Sequence, residues 1–340
     1  MARERHSLVT GGAGFIGRAL VAALRERGDR VTVMEPGGEA YRDDIDFVVA
    51  DIRDGDAVRR VVRDVDTVFH NASIVHTRRS REDDVWDVNL GGSRHVLDAC
   101  IAAEVPRLVY VSSASAVYEG RDIENGTEAL PYSRISQAPY ADSKIAAEKE
   151  ILAANGRGGL ATCAIRPHVV FGPGDTRFLP AILERARNGK LRFSVGLNND
   201  KLSDFTYVTN VVDALLAAEE RLSLDSPVAG QAYFITNGEP MPFFDFVNWV
   251  LRELGMPTIR FAIPYPLAYA AAAAAEGLDT LKGGTLNTEN GLSRFAVRYM
   301  CTHHYFSIDK ARRELGYVPR VNLADGVRYA VDSIRAQAAG

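Results

Sequence analysis

The chain has 340 residues, of which 46% are hydrophobic and 25% charged, proportions typical of a soluble globular protein that can bury a large core. Its net charge of −4 gives no electrostatic reason to expect nucleic acid binding. Three widely spaced cysteines, Cys100, Cys163 and Cys301, contain no Cys-x-x-Cys pair, which argues against a disulfide scaffold or a zinc site. We therefore expect a cytoplasmic protein without a bound metal.

The first half of the chain alternates strand-like and helix-like segments. Strand patterns occur at "SLVT", "RVTVME", "DFVVAD", "TVFHNAS", "RLVYVSS" and "ATCAIRP", and segments with helical apolar spacing, such as "FIGRALVAALRERG" and "SKIAAEKEILAAN", lie between them. Short apolar strands separated by helices indicate a parallel sheet that is covered on both faces. The predicted fold class is therefore α/β, with a Rossmann-type doubly wound parallel sheet.

The second half of the chain is less regular. Three segments look helical ("FLPAILERARNG", "VTNVVDALLAAEE" and "MPFFDFVNWVLREL"), and "QAYFIT" looks like a strand that returns to the sheet. We predict a dinucleotide-binding domain over residues 1–171, to which residues 205–236 return. Residues 172–204 and 237–340 are expected to form a smaller C-terminal substrate-binding lobe.

Two segments bear on targeting and membranes. In "MARERHSLVTGG" the apolar run is too short for a signal peptide. The stretch "FAIPYPLAYAAAAAAEG", residues 261–277, is interrupted by Pro264 and Pro266 and is shorter than the about 20 apolar residues of a spanning helix. We expect a buried or surface-lying helix there, with contact at a membrane surface as the alternative.

The segment "TGGAGFIG" places Gly11, Gly14 and Gly17 between a strand and a helix. Glycines at such a junction allow a tight turn and close approach of the backbone to a pyrophosphate, and the helix N-terminus supplies free N–H groups. The spacing differs from the commoner Gly-x-Gly-x-x-Gly fingerprint. The loop, including Phe15 and Ile16, is nevertheless predicted to bind a dinucleotide.

Acidic residues follow at the ends of the next two strands. Glu35 closes "RVTVME", where a carboxylate can accept both adenosine ribose hydroxyls and would repel the extra phosphate of NADP. The next residue is Pro36 rather than an arginine that would hold that phosphate, so NAD is favoured over NADP. Asp51 and Ile52 end "VVADI" and are expected to contact the adenine, with a helix N-cap as the alternative role for Asp51.

An acid–base pair is predicted in "PYADSKIAAEKE", where Lys144 follows Tyr140 by one helical turn. Tyrosine has a pKa near 10, and a lysine ammonium together with an oxidised nicotinamide would favour the phenolate. Tyr140 would then accept an alcohol proton while hydride leaves the carbinol carbon. Ser113, at the end of the fifth strand in "YVSSASAVYEG", would hydrogen-bond the substrate oxygen.

These motifs together resemble the extended short-chain dehydrogenase/reductase family, through "TGGAGFIG", "DIRD", "VFHNAS", "NLGGS", "YVSSASAVYEG", "YADSK", "RPHVVFGPGD" and "DFTYVTNVVDA". The resemblance implies Ser113, Tyr140 and Lys144 as the catalytic set, with Lys144 also holding the nicotinamide ribose. One extra residue before "VYEG" leaves Ser112 as the alternative to Ser113. The further cofactor contacts implied are Asn71, Ala72, Ser112, Pro167, Val169 and Val170.

Within that family, "EGRDIENGTEALPY", "CAIRPHVVFGPGD", "AYFITNGEPMPF" and "YFSIDKARRELGYVP" resemble the 3β-hydroxysteroid dehydrogenase branch, and most closely the decarboxylating sterol-4α-carboxylate 3-dehydrogenases and bacterial cholesterol dehydrogenases. This implies NAD-dependent oxidation of a 3β-hydroxyl on a sterol, with or without decarboxylation. The expected partners are an apolar small molecule, a second copy of the chain in a homodimer, and peripherally a membrane.

Other functions remain open. One is an NADPH-dependent 2-alkyl-3-oxoalkanoate reductase, against which Glu35 speaks. Another is a nucleotide-sugar epimerase or dehydratase, whose usual asparagine is missing from "RPH". A redox-sensing regulator would lack the Tyr-Lys pair.

The substrate contacts are the least defined part of the predicted site. His168, at a strand end, and Arg177 are candidates to contact a substrate oxygen or carboxylate, and a fully bonded cleft histidine is the alternative for His168. Asn89 is expected to bond backbone groups. His303 and His304 would face opposite sides of a strand and are interpreted as structural.

Overall fold

The computed structural model describes residues 4–76, 81–189, 191–197, 199–281 and 293–339. Its strands are β1 (His6–Thr10), β2 (Arg30–Glu35), β3 (Asp46–Val49), β4 (Thr67–His70), β5 (Arg107–Val111), β6 (Ile123–Gly126), β7 (Ala161–Pro167), β8 (Val170–Phe171), β9 (Phe193–Val195), β10 (Leu202–Ser203), β11 (Thr206–Tyr207), β12 (Gln231–Ile235), β13 (Met241–Pro242), β14 (Phe261–Ile263) and β15 (His304–Phe306).

Twelve α-helices of the described residues connect and cover these strands. They are α1 (Phe15–Arg27), α2 (Gly55–Val61), α3 (Glu82–Trp86), α4 (Ser93–Ala102), α5 (Pro139–Ala153), α6 (Phe178–Arg187), α7 (Val208–Arg221), α8 (Phe243–Glu253), α9 (Tyr265–Leu281), α10 (Arg294–Met300), α11 (Asp309–Leu315) and α12 (Leu323–Ala339). A π-helical turn, Asp87–Gly92, joins α3 to α4. It lies within "VWDVNLGGSRHVLDACIAAE", a segment whose sequence pattern predicts one long helix.

Seven parallel strands form the main sheet in the order β12-β7-β5-β4-β1-β2-β3. The six strand patterns of the first half and "QAYFIT" all belong to this sheet, so the predicted α/β fold class is confirmed. Strand order reverses between β1 and β4. At such a switch point the connections leave to opposite sides and open a crevice at the carboxyl ends of the strands, where ligands bind.

Helices bury both faces of the main sheet, as its apolar strands require. On one face, Leu20 of α1, Leu215 of α7 and Leu315 of α11 join a core that is out of contact with water. On the other, Val58 of α2 and Ile151 of α5 do the same. Because both faces are fixed by packing, the strand ends that form the crevice are held rigidly.

A smaller set of elements lies beyond the carboxyl edge. It contains a four-stranded sheet in the order β13-β10-β15-β6 and a parallel pair of β14 with β9. Helices α6, α8 and α12 pack through an aromatic cluster in which Phe205 stacks on Phe246 at 3.9 Å. The division into a dinucleotide domain and a substrate lobe at residues 171–172 stays a prediction.

The apolar stretch after residue 261 forms β14 and most of α9. Ala268 and Ala272 of α9 are buried against Val297 of α10, whereas Leu267 is 63% exposed, so the helix lies at the protein surface. Among the described residues, every helix is too short or too polar to cross a membrane.

Candidate active site

A cleft of about 770 Å³ opens at the carboxyl edge of the main sheet, where strand order reverses. Of the predicted site residues, all but Gly17 and His168 are among its described lining. The lining includes Gly11, Gly14, Phe15, Ile16, Glu35, Asp51, Ile52, Asn71, Ala72, Ser112, Ser113, Tyr140, Lys144, Pro167, Val169, Val170 and Arg177.

The glycine loop forms the end of the cleft next to α1. Gly11 has a φ of +69°, and a Cβ atom there would lie 2.7 Å from the backbone of Ala72. A Cβ on Gly17 would lie 2.1 Å from the carbonyl oxygen of Gly11, so Gly17 lets α1 pack against the loop although it does not line the cleft. In the described structure no side chain caps the N-terminus of α1 after Gly14. These residues therefore fit a bound pyrophosphate, which needs bare backbone and free N–H groups.

Glu35 ends β2 beside this loop, and its Oε1 accepts a 2.6 Å hydrogen bond from the N–H of Ala13. Burial raises the pKa of Glu35, while that hydrogen bond and the positive charge of Arg18 oppose the increase. Arg18 lies on α1, with its guanidinium 4.0 Å from the centre of the Tyr41 ring. The position of Arg18 beside Glu35 could not be predicted from the sequence, because no pattern relates the two residues.

Asp51 and Ile52 follow β3 and line the same end of the cleft. The alternative role of Asp51 as a helix N-cap is wrong, because Asp54 accepts the N–H groups of Asp56 and Ala57 at the start of α2. The Asp51 carboxylate instead accepts hydrogen bonds from Arg53 at 2.7–3.1 Å.

The next strand end contributes Asn71, whose Nδ2 donates to the carbonyl oxygen of Gly11 at 2.9 Å. Asn71 therefore ties the end of β4 to the glycine loop.

Tyr140 lies in the first turn of α5, partly buried and facing the cleft. Burial raises the pKa of its phenol, whereas a hydrogen bond with Ser113 and the positive charge of Arg177 lower it. Ser113 also accepts hydrogen bonds from the backbone N–H and the hydroxyl of Ser115, at 3.2 and 2.9 Å. Tyr140, Ser113 and Arg177 thus line the same cleft although they come from three separate segments.

Lys144 lies one turn further along α5 and is only 2% exposed. Its Nζ donates a 2.7 Å hydrogen bond to the carbonyl oxygen of Val111 and lies 4.7 Å from the centre of the Tyr110 ring. Burial lowers the pKa of Lys144 to about 7, and the negative charge of Glu148 opposes this. Arg177 is a further positive charge that favours the Tyr140 phenolate, and the electrostatic help expected from Lys144 stays a prediction.

Both serines at the end of β5 line the cleft. Ser113 lowers the pKa of Tyr140, whereas the Ser112 hydroxyl is buried and has no hydrogen-bond partner among the described residues. This geometry favours Ser113 as the partner of Tyr140.

His168 is not brought to the described lining of the cleft, so the structure does not support a substrate contact by this side chain. The ring is buried, its nitrogens are bonded to the Asp204 carbonyl oxygen and the Tyr299 hydroxyl, and its Nε2 faces Nδ1 of His304 at 3.1 Å. A side chain at a strand end can point into the cleft or away from it. The sequence did not reveal the direction of His168, because the residues that hold its ring are remote along the chain.

Three other residues behave as structural groups. Asn89 bonds the backbone N–H and carbonyl oxygen of Ile74 at 2.7 and 3.0 Å, as predicted. His303 accepts the Leu202 N–H at 3.1 Å, whereas His304 is buried, so the two neighbouring histidines have different surroundings.

A dinucleotide cradle that ends at a serine, a tyrosine and a buried lysine defines a short-chain-type oxidoreductase. The sequence profile of the 3-beta hydroxysteroid dehydrogenase/isomerase family matches residues 8–265. The chain belongs to this family and is a dehydrogenase/reductase. This confirms the resemblance inferred from the motifs.

Individual relatives span nearly the whole chain. A 2-alkyl-3-oxoalkanoate reductase of Stenotrophomonas maltophilia (strain K279a) is 40% identical over 325 residues, which cover 94% of this chain and 97% of the relative. A decarboxylating sterol-4-alpha-carboxylate 3-dehydrogenase of Mus musculus is 35% identical over 334 residues, covering 98% and 92%. The solved UDP-glucose 4-epimerase of Thermus thermophilus in complex with NAD superposes with a TM-score of 0.72 at 25% identity, covering 97% and 99%.

Proposed function

We propose that the chain oxidises a 3β-hydroxyl group of a sterol or steroid with NAD as the hydride acceptor. The observation that carries the proposal is the meeting of Tyr140 and Ser113 in the cleft that also contains the glycine loop and Lys144. The 35% identity with the mouse sterol dehydrogenase supports the substrate class.

The bound nicotinamide supplies the hydride acceptor when the substrate alcohol is oxidised. Ser113 orients the substrate oxygen by a hydrogen bond, and Tyr140 accepts its proton. The positive charge of Arg177 favours the phenolate form of Tyr140, because opposite charges lower the pKa of an acid. Lys144, which the Val111 carbonyl holds, would bond the ribose next to the reacting ring.

We propose NAD rather than NADP as the physiological cofactor. Glu35 presents a carboxylate at the end of β2, and a phosphate on the ribose would meet that negative charge. The nearby Arg18 works in the other direction, so the preference rests on the balance of the two side chains.

Arg177 is the proposed contact for a substrate carboxylate. Its guanidinium donates to the Val75 carbonyl oxygen at 2.7 Å, and its side chain lines the cleft that Tyr140 faces. The names of the mouse and Stenotrophomonas relatives both describe a substrate whose carboxylate is attached to the carbon next to the one that is oxidised or reduced. Oxidation of such a hydroxy acid gives a β-keto acid, which loses carbon dioxide by its own chemistry and needs no further catalytic group.

The second candidate function is reduction of a 2-alkyl-3-oxoalkanoate. The 40% identity with the Stenotrophomonas reductase favours it, and the same Ser113, Tyr140 and Arg177 would serve the reverse direction. A nucleotide-sugar epimerase is the weaker alternative, since its support is similarity of fold.

An exposed apolar surface is the basis for a proposal about where in the cell the protein works. Phe193, Phe261 and Leu267 are 48%, 62% and 63% exposed, and Phe193 packs against Phe261 on the paired strands β9 and β14. We propose that this apolar surface rests on a membrane from the cytoplasmic side, which co-sedimentation with neutral lipid vesicles tests. The homodimer stays a prediction.

A turnover screen tests the proposed function. The purified protein is assayed with a 3β-hydroxysterol, its 4α-carboxy analogue, a long-chain 2-alkyl-3-hydroxy acid and a UDP-sugar, each with NAD⁺ and NADP⁺. We expect the highest kcat/KM for a sterol with NAD⁺. Selective turnover of the long-chain acid with NADP⁺ would instead establish the second candidate function.

A further inference from the structure

Val169 has a backbone conformation that its side chain disfavours. Its φ is +31°, and of the four described non-glycine residues with positive φ it is the β-branched one. β-Branched residues avoid this region because the Cβ atom crowds the neighbouring backbone. Val169 lies between Pro167 and Val170, and all three residues line the cleft. A strained turn therefore forms part of the cleft wall near Tyr140 and Lys144.

Two hydrogen bonds from Thr206 hold the turn. The N–H of Thr206 donates to the Val169 carbonyl oxygen at 3.0 Å, and the Thr206 hydroxyl donates to the carbonyl oxygen of His168. These bonds join the turn to β11. A strained conformation persists only where the surroundings over-determine it, so the turn needs a further support.

The side chain of His168, the residue before Val169, is bonded at both ring nitrogens. Its Nδ1 lies 2.8 Å from the carbonyl oxygen of Asp204 and therefore carries the proton, while its Nε2 accepts a 2.7 Å hydrogen bond from the Tyr299 hydroxyl. The Tyr299 ring stacks on the imidazole, with an interplanar angle of 12°. Burial lowers the pKa of His168 well below its ordinary value, so the ring is neutral at pH 7.

His304 completes the surroundings without replacing the tyrosine donor. Its Nε2 lies 2.7 Å from the Tyr299 carbonyl oxygen and carries its proton, and its Nδ1 is 3.1 Å from Nε2 of His168. Burial lowers the pKa of His304 to about 4. With both rings neutral, the two facing nitrogens carry no proton, so the Tyr299 hydroxyl is the donor that fixes His168.

We propose that His168 is a positioning residue that, held by Tyr299, keeps the strained Val169 turn in the shape that receives the cofactor. The inference rests on the proposed function only in that the cleft binds a nicotinamide dinucleotide. We call the hydrogen-bonded pair of His168 and Tyr299 the clamp. Without the clamp the turn relaxes, and the fraction of the protein that can bind the cofactor falls. The apparent dissociation constant rises by the same factor.

The first test removes single groups from the clamp. Tyr299→Phe deletes only the hydroxyl, and His168→Ala deletes the ring. Tyr305→Phe is the matched control, because Tyr305 lies on β15 and its ring contacts that of His303 rather than that of His168. We measure NADH affinity by fluorescence titration and the apo-protein Tm by calorimetry. We expect the dissociation constant to rise about fivefold in Tyr299→Phe and more in His168→Ala, with no change in the control.

The second test asks whether the clamp acts through backbone strain. Glycine adopts positive φ freely, so in a Val169→Gly background the clamp becomes unnecessary. We expect Tyr299→Phe to change the dissociation constant by less than about twofold in that background, which is the coupling that a double-mutant cycle measures. Val169→Ala is the control, because alanine loses the isopropyl group but keeps the Cβ atom and the strain.

The outcomes separate this inference from the proposed function. An equal effect of Tyr299→Phe with valine or glycine at position 169 overturns the inference, as does a lower Tm with unchanged NADH affinity. If His168→Ala does not fold, Tyr299→Phe still decides the question. A wild-type protein that binds neither NAD(H) nor NADP(H) would overturn the proposed function, and this inference with it.

Discussion

The ammonium group of Lys144 donates a 2.7 Å hydrogen bond to the carbonyl oxygen of Val111, the last residue of β5. This bond joins the first half of α5 to the strand end that precedes Ser113. Burial lowers the pKa of Lys144 to about 7, so the side chain is held in the site against its own preference for water. Functional residues commonly reduce stability in this way.

Replacing Lys144 with methionine removes a charge that burial disfavours. The folded lysine loses its proton near pH 7 and the unfolded one near its ordinary value of 10.5, so wild-type stability increases with pH between these limits. Lys144→Met lacks this increase in stability, because methionine has no proton to lose. We expect it to be more stable than wild type at pH 7, with the difference falling by on the order of 2–3 kcal/mol by pH 9.5, since one pKa unit is about 1.36 kcal/mol.

Urea unfolding at several pH values measures this effect. Lys149→Met is the matched control, because Lys149 lies on the same helix and is exposed. A Lys144→Met difference that stays constant with pH would show that Lys144 is not destabilised by burial.

Removing the Ser113 hydroxyl should change the pH dependence of catalysis. The hydrogen bond with Ser113 lowers the pKa of Tyr140, so Ser113→Ala raises it and moves the rising limb of kcat/KM to higher pH. We expect a shift of about one pH unit and a loss of about 10- to 100-fold in kcat/KM at pH 7. Ser112→Ala should leave the midpoint of the limb in place, and an unshifted limb in Ser113→Ala would contradict the assigned role.

The ion pair of Arg166 with Glu148 should contribute strongly to folding. The side chains are 4% and 0% exposed, and the Arg166 Nε lies 3.1 and 3.0 Å from the two carboxylate oxygens. Arg166→Met leaves a buried carboxylate without its cation, which costs about 3–5 kcal/mol. Arg94→Ala is the control. It breaks the exposed ion pair with Glu150, which lies on the same helix as Glu148, and should cost less than about 1 kcal/mol. Similar losses in urea unfolding for the two variants would contradict this account.

Cofactor selectivity should depend on Glu35. Glu35→Ala removes the carboxylate that would repel the NADP phosphate and leaves Arg18 free to contact it. We expect the kcat/KM ratio of NADP⁺ to NAD⁺ to rise about tenfold, which corresponds to about 1.4 kcal/mol. Glu39→Ala, an exposed carboxylate further along the chain, is the control. An unchanged ratio in Glu35→Ala would mean that selectivity lies elsewhere.

Local patterns in the sequence predicted the main sheet. Its strands are short apolar runs between amphipathic helices, and both signals depend only on neighbouring residues. The turn between β1 and α1 was equally accessible, because Gly11 needs positive φ and Gly17 leaves no room for a side chain. Tyr140 and Lys144 are four residues apart on one helix, so their common face also follows from spacing.

Contacts between distant segments were not accessible from such patterns. The charge of Arg177 acts on Tyr140, and the hydroxyl of Tyr299 holds His168 across 131 positions of the chain. No periodicity relates such residues, so the direction of His168 could not be predicted from its place at a strand end. The π-helical turn Asp87–Gly92 has helical apolar spacing as well and was therefore not distinguished from an α-helix.

The most direct measurement of the central claim is made on Tyr140→Phe, comparing sterol turnover with NADH affinity in one preparation. The variant lacks the proton acceptor but keeps the glycine loop, Glu35 and Lys144. We expect turnover to fall by at least about 100-fold, the lower range for a general acid–base residue, and the dissociation constant to stay within a few-fold of wild type. Near-normal turnover in Tyr140→Phe would contradict the assignment of this chain's catalytic chemistry to that phenol.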